Sequence, residues 1–504
     1  MKFLLSRLAC VALILTACGN KENPTPDPTP TAPTSITLST SSISAEQGAK
    51  SYDVTITAPA RPTLTLPSWI TKTDGTYKDY KITVTLKVAA NDTYEARSAD
   101  VKVSATGAAD VTLKVTQAGK EVIKDPTLPD NAAVARMKEM GLGWNMGNQL
   151  DAINNGVSSE TCWGNPACTQ DTFNGVKAAG FTSVRIPVTW MGHIGEAPDY
   201  LIEDAWMNRV AEVVGYAETA GLKVILNTHH DEDHGDAHWQ NLANAVNSTD
   251  SNTQIKEEIA AVWTQIANKF KDKGNFLMFE SFNELIYGSE WSSSSNTQKK
   301  CDVINEWNQV FVNAVRATGG NNSTRWLGVP GYAASTNYLS YLTVPEDPAG
   351  KTMLAFHCYD PYNYTIGEAQ LPNWGHTGTS YPRGEEEIKT LFNSIYTNYI
   401  AKNIPIYMGE FGCSFRNSND AKAWAYFKYY LEYFVKAAKV FGISGFLWDN
   451  GAEGYGAEHH CYIHHGTGAY IGSSEEVVKV IMKAWNTTDA SYTLQSVYDS
   501  APNN

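Results

Sequence analysis

The chain reads as an α/β protein, a (β/α)8 TIM barrel preceded by a small all-β sandwich, and three observations predict this. Short apolar runs lie near 141–147, 181–187, 222–228, 276–283, 325–329, 353–359, 404–410 and 443–449, the length and character of buried parallel strands. Helical patterns fill most of the gaps, at 169–179, 204–220, 255–272, 298–317, 384–402 and 418–440. Ahead of them, from Ile36 to Gly119, the period changes to two. The competing fold for the main domain, an open doubly wound sheet, lacks support because no Gly-rich phosphate turn opens a helix.

Taken from its start, the chain begins with a targeting segment, 1–17. Met1, Lys2 and Arg7 form a basic start, and Leu8 to Leu15 is an apolar run too short to span a bilayer as a mature helix. Leu15-Thr16-Ala17-Cys18 follows, and it resembles the lipobox of bacterial lipoproteins. That resemblance implies cleavage before Cys18, a lipid on its sulfur, and a place on the cell envelope, at the outer membrane. Residues 18–35 carry Pro24, Pro26, Pro28, Pro30 and Pro33 and read as a semi-extended spacer.

In 36–119, Tyr52–Thr57, Tyr80–Leu86 and Val111–Thr116 alternate Thr or Lys with Val, Ile or Leu, as strands with one wet face do. A sandwich follows. Pro67-Ser68-Trp69-Ile70, Arg97 and Val115-Thr116-Gln117 resemble the BACON module that precedes glycan-degrading domains in Bacteroidetes proteins. With one Trp and no aromatic row, the segment reads as a spacer rather than a glycan binder. Residues 120–130, with Pro126 and Pro129, link it to the barrel domain, 131–504.

A net charge of −14 argues against nucleic acid, whose phosphates need a basic face. The 14 Trp, 26 Tyr and 16 Phe suit a neutral ligand with flat faces, as sugars are. Cys10 and Cys18 fall in the leader and lipobox. Of the other cysteines, only Cys162 and Cys168 are close enough in sequence to suggest a disulfide, with buried thiols as the alternative.

In a β/α barrel the chemistry sits where strands end. Asn148 and Asp151 follow the first strand, Arg185 ends the second, and His229 and His230 end the third. Asn283 and Glu284 end the fourth, His357 and Tyr359 the sixth, Glu410 the seventh and Trp448 the eighth. Three carboxylates, an Arg, three His, two Asn, a Tyr and a Trp on one rim point to acid–base and nucleophilic work. Glu280 shares the inward parity of Glu284 but lies deeper, so it reads as an interior acid satisfied by neighbours. His459, His460, Cys461, His464 and His465 have only a weak metal spacing, and an exposed loop or a substrate-contacting lip is the plainer reading.

Gly143-Trp144-Asn145-Met146-Gly147-Asn148, Val184-Arg185-Ile186-Pro187-Val188, Asn227-Thr228-His229-His230-Asp231 and Phe282-Asn283-Glu284 resemble glycoside hydrolase family 5. So do His357-Cys358-Tyr359, Gly409-Glu410-Phe411-Gly412 and Leu447-Trp448-Asp449-Asn450. Glu160 to Pro166 looks like its fourth subfamily. The resemblance implies a retaining endo-β-1,4-glucanase of plant cell-wall glucans, free of cofactor and metal. Glu284 would be acid and base and Glu410 nucleophile, with Arg185, His229, Asn283, His357, Tyr359 and Trp448 around the attacked sugar.

Retaining hydrolysis needs the two carboxyls about 5 to 5.5 Å apart and an acid that keeps its proton until the bond breaks. Asn148 and His230 complete the candidate substrate contacts. Gln149 departs from the subfamily's usual Thr, and the His-rich loop from its usual run. Trp163, Trp190, Trp239, Trp291 and Trp374 fall in rim loops and suit either a sugar groove or packing. The alternatives are a β-mannanase and a glycan-binding lipoprotein without hydrolysis; both carboxylates being present speaks against the second. The partners expected are a β-glucan and, through the lipid, a membrane, with the chain a monomer.

Overall fold

The computed structural model describes residues 31–232, 238–368 and 370–503. The leader 1–17, Cys18 and the spacer through residue 30 lie outside them. The chain divides into two compact units, one ending at Val122 and the other starting at Ile123.

The first unit packs two four-stranded sheets. Lys50–Thr57 and Lys81–Val88 pair antiparallel, flanked by Thr37–Leu38 and Ile70–Asp74. Arg97–Ser104 and Val111–Gln117 pair antiparallel, flanked by Thr63–Thr65 and, in parallel, Ser42–Ala45. The period of two sorts the side chains: Ile82, Val84, Leu86 and Val88 are buried against Val54, Ile56 and Val115, while Lys81, Thr83 and Lys87 stay on the outside. Trp69 is covered, because the Arg97 guanidinium lies 4.5 Å from its ring centroid. Arg97 is itself fixed by donating to the carbonyls of Ala89 and Ala90 and to Gln117.

In the second unit eight parallel strands close into a barrel: β1 (Gly143–Asn145), β2 (Ser183–Ile186), β3 (Lys223–Asn227), β4 (Leu277–Glu280), β5 (Leu327–Ser335), β6 (Thr352–Cys358), β7 (Ile406–Phe411) and β8 (Ser444–Leu447). Closure is through β1, which pairs with both β2 and β8. Helix α1 (Ala132–Met140) precedes the barrel. Helices α2 (Gln170–Ala178), α3 (Asp204–Thr219), α4 (Thr249–Lys269), α5 (Thr297–Ala317), α6 (Gly384–Asn398), α7 (Ala421–Val440) and α8 (Ser474–Asn486) surround it. Local capping sets several starts: Asn131, Thr169 and Ser248 each accept a first-turn N–H, of Val134, Asp171 and Ser251.

All eight apolar runs become barrel strands. No helical pattern fills the gap between β5 and β6, and only a 3-10 turn, Thr336–Tyr341, forms there. β5 runs on to Ser335, past the expected 329, through a register shift between Pro330 and Ser335 in which Ala333 and Ala334 take φ of 52° and 45°. Nothing local announces such a bulge, since alanine resists positive φ. Cys162 and Cys168 are both free. Cys168 is buried with its Sγ 3.6 Å from Arg209.

Candidate active site

The barrel interior changes chemistry along its axis. One layer is apolar, with Ile225, Met278, Met353, Ala355 and Phe446 buried around the Tyr407 ring. Next comes a polar layer, fully buried, built on Arg185. The guanidinium donates to Glu280 from Nε at 2.9 Å and Nη2 at 2.7 Å, to Asn283 Oδ1 at 2.9 Å, to Asn145 Oδ1 at 3.0 Å and to Glu410 Oε1 at 2.8 Å. Burial works against its charge, and the Glu280 and Glu410 carboxylates more than restore it. Glu280 also accepts from Asn227 at 2.9 Å and Tyr407 at 2.5 Å, so its valences are used up within the protein. It is the interior acid its parity implies.

Glu410 sits one step nearer the rim. The pairing of β6 with β7 shifts between Phe356–Met408 and His357–Glu410, so Gly409 is bulged and Glu410 is aimed beside His357. Glycine suits that bulge, because a Cβ on Gly409 would stand 3.0 Å from His357 Nε2 and the ring would have to give way. Tyr359 donates to Glu410 Oε2 at 2.8 Å, opposite the Arg185 contact. Burial pushes the Glu410 carboxyl up, but the charges of His357 and Arg185 and these two hydrogen bonds outweigh it and hold it below the usual value.

Glu284 lies past the end of β4 and more open to the cleft. Its Oε1 is 2.6 Å from His357 Nδ1, which is also 3.6 Å from Glu410 Oε2. Burial alone would strip His357 of its proton; the charges of Glu410 and Glu284 reverse that and raise it. An oxygen of Glu284 and one of Glu410 lie within 4.8 Å of each other, close enough for the two acids to flank one bond with no water between them. Asn283 is held at both ends, by Arg185 on Oδ1 and by Glu232, which accepts from its Nδ2 at 3.2 Å. The motif reading missed Glu232, since no spacing links residues 232 and 283.

His229, His230 and Trp448 line the same cleft of about 620 Å³. The Trp448 ring faces His229 in a stack, centroids 6.0 Å apart, and occupies space that only glycine at 147 leaves, where a Cβ would come within 2.6 Å of it. Asn227 fixes the His229 tautomer. Its Oδ1 accepts from Val188 N–H and its amide donates to Glu280, so the amide also donates to His229 Nδ1 at 3.2 Å. The His229 proton is therefore on Nε2. Burial holds the ring neutral, well below its usual pKa. Asp151, His229 and His230 converge within 4.8 Å, yet a metal would need the lone pair where this tautomer carries a proton.

Arg185 and Asn148 do not line the cleft. Arg185 reaches it through Glu410 and Asn283. Asn148 is a turn residue at φ 55° whose N–H donates to Asp151. The rim tryptophans divide: Trp190 and Trp374 are fully buried packing, Trp239 is half-buried with its indole N–H on Asp231, and Trp163 and Trp291 are exposed, Trp291 at the cleft. The histidines of the last loop have separate partners. His459 faces the Ala457 carbonyl, His460 faces Ser414, and His464 accepts from the Gly466 N–H. His465 pairs with Gln149 Oε1 at 2.8 Å and Asp449 Oδ1 at 3.3 Å. These side chains therefore do not converge on one point among the described residues, the loop is not exposed throughout, and its departure and that of Gln149 are one arrangement. Glu458, on the same loop, lines the cleft, where burial and the nearby Glu410 and Glu284 raise its pKa.

Residues 148–454 match the model of the cellulase family, glycosyl hydrolase family 5, and 36–118 match that of the BACON domain, described as a putative N-terminal binding domain. The chain is 35% identical over 418 residues to the xyloglucan-specific endo-β-1,4-glucanase of Bacteroides ovatus, covering 77% of this chain and 80% of that one. A solved Bacteroidetes-affiliated cellulase of the family, linked with a polysaccharide utilization locus, shares 45% identity over 74% of this chain and 98% of its own, with a TM-score of 0.71. A broad specificity endoglucanase of subfamily 4 from Bacteroides salanitronis shares 44% over 73% and 99%, with a TM-score of 0.68.

Proposed function

The chain belongs to glycosyl hydrolase family 5, and from that premise we propose that Glu410 is the nucleophile and Glu284 the acid and base of a retaining endo-β-1,4-glucanase acting on plant cell-wall β-glucans. The observation that carries this is the pair of carboxylates within 4.8 Å of each other, at the ends of β4 and β7. Glu410 is ionised and oriented by Arg185 and Tyr359. Glu284 touches no permanent cation, only the His357 ring.

An oxygen of Glu410 attacks the anomeric carbon as the bond to the leaving oxygen breaks, and the Glu284 proton passes to that oxygen. The glycosyl ester leaves Glu410 neutral. Glu284, now a carboxylate, takes a proton from water as its oxygen attacks the anomeric carbon and Glu410 departs, returning both groups to their first state. Asn283, fixed at both ends, and His229, with its proton on Nε2, face the sugar as hydrogen-bond donors. Trp448 supplies a flat apolar floor.

Exposed Trp291 and Tyr362, with Ser335, Thr336 and Asn337 along one wall, support a groove that accepts xylosyl branches as well as linear chains. Reducing-end assays of residues 36–504 on xyloglucan, barley β-glucan, carboxymethylcellulose and glucomannan test the substrate class, with Glu410→Gln as the blank. Anomeric NMR tests the mechanism: early release of the α-anomer would overturn retention. Mannan cut faster than every glucan would move the assignment to a β-mannanase.

The chain is a lipoprotein anchored to the outer membrane through Cys18, with the β-module as spacer. The order of basic start, apolar run, Leu15-Thr16-Ala17-Cys18 and proline-rich tail supports the anchor, and the covered ring of Trp69 supports the spacer. In cells, Cys18→Ser should move the protein from the detergent phase to the aqueous phase; unchanged partition would refute lipidation.

A further inference from the structure

A second cavity, of about 340 Å³, lies behind the wall of the cleft, between the segment after β7 and the loop after β8. The loop after β8 serves both spaces. Glu458 lines the catalytic cleft, whereas Glu453, Tyr455 and Cys461 line the second cavity. Two backbone bonds pin this wall: Phe415 N–H donates to the His459 carbonyl at 2.8 Å, and Gly456 N–H to the Phe415 carbonyl at 3.2 Å.

Three features of the cavity point to a ligand. Its volume falls at the low end of the roughly 300 to 1,000 Å³ of small-molecule sites, enough for one or two sugar rings. Aromatic surface is offered by Tyr455, 62% exposed, with buried Phe415 and Trp424 packed against each other behind it and the Trp424 N–H on Glu476 at 3.3 Å. Arg416, only 7% exposed, also lines it. Its Nη1 and Nη2 donate to the carbonyls of Ser414 and Tyr364, but its buried Nε has no acceptor among the described residues. A buried guanidinium N–H without a partner costs free energy that an incoming hydroxyl oxygen would recover.

The exposed Tyr455 ring, one unused N–H, the Glu453 carboxylate and the Asn417 and Ser418 side chains make the mixed set that recognises a neutral pyranose. An anion is disfavoured by Glu453 at the site and by the chain's net charge of −14. We propose that this cavity is a non-catalytic binding site for one or two sugar residues of a β-glucan, a substituent of the chain being cut or part of a neighbouring chain. The identity of the polymer rests on the glucanase reading above; the site itself rests on its lining.

The test begins by esterifying Glu410 with an activated 2-deoxy-2-fluoro cellobioside, the mass increment reporting that the glycosyl side of the cleft is filled. Calorimetry with cellotetraose and a xylogluco-heptasaccharide should then find, besides any binding on the open leaving-group side, a site belonging to the cavity. Affinity there should fall at least tenfold in Tyr455→Ala and in Ser418→Trp, which fills the cavity. Both variants should cleave a short chromogenic cellobioside within about twofold of the unmodified rate, with KM on polymer raised severalfold.

A labelled enzyme that binds no oligosaccharide, or binding unchanged in both variants, overturns the proposal. Absence of the mass increment instead counts against Glu410 as nucleophile. In that case titration of the unlabelled protein still decides the cavity: the Trp424 indole N–H resonance should shift with sugar, and not in Ser418→Trp; no shift in the unmodified protein overturns it.

Discussion

The barrel and the β-module each place a tryptophan beside a nitrogen-bearing side chain, and they do opposite things with it. Trp448 lies parallel to His229 and lines the cleft, in space left by the missing side chain of Gly147. Trp69 gives its face to Arg97, which is tied to two carbonyls and a glutamine. Aromatic content alone therefore does not predict sugar binding; what matters is whether the ring lines a cleft, as Trp448 does, or lies under a neighbouring side chain, as Trp69 does.

The largest effect tests the barrel side. Glu410→Gln should lower kcat on β-glucan by about 10⁴-fold or more, since the nucleophile and its charge are lost together; initial-rate assays read this, and residual activity within tenfold would move the nucleophile elsewhere. In that inactive background Trp448→Ala should weaken oligosaccharide binding about tenfold or more, while Trp69→Ala should leave it within twofold, both by calorimetry. A loss at Trp69 equal to that at Trp448 would erase the contrast and make the module a binder. Trp69→Ala should instead cost the module about 2 to 3 kcal/mol, from lost packing and the cation–π contact, visible as a lower denaturant midpoint for its transition.

A smaller effect is electrostatic. The His357 pKa is raised, so its contribution to stability is fully present below pH 6.5 and is lost as pH rises through the raised value. The Glu410 pKa is lowered, so its contribution is present above pH 4.5 and is lost as pH falls through the lowered value. Removing the Glu410 charge should bring the His357 midpoint down, read by imidazole nitrogen NMR in Glu410→Gln. An unchanged midpoint would mean that Glu284 alone holds that proton.

Much of this was legible in the sequence because strands and their exits are local. The apolar runs became β1 to β8, and Asn283, Glu284, His357 and Glu410 arrived at strand ends where a barrel gathers its chemistry. What escaped was non-local. The bulge at Gly409 depends on which strand lies beside β7. Glu232 meets Asn283 only once β3 and β4 are adjacent. Buried Trp190 and Trp374 look like Trp163 and Trp291 in sequence, since a rim loop can fold over or away. The histidines after β8 suggested a shared ligand because they are neighbours in the chain, yet His460 and His465 turn to other parts of the fold while His459 and His464 bond within their own loop.

The pairing of Gln149 with His465 has a consequence for anyone exchanging loops between relatives. Asp449, already taken by the Trp144 indole N–H and the N–H groups of Tyr462 and Ile463, completes its set with His465. A transplant of the last loop alone would strand the Gln149 carbonyl against a surface with no donor. Carried across together with residue 149, the loop arrives with its keystone, and the two segments behave as one heritable part although more than three hundred residues of chain run between them.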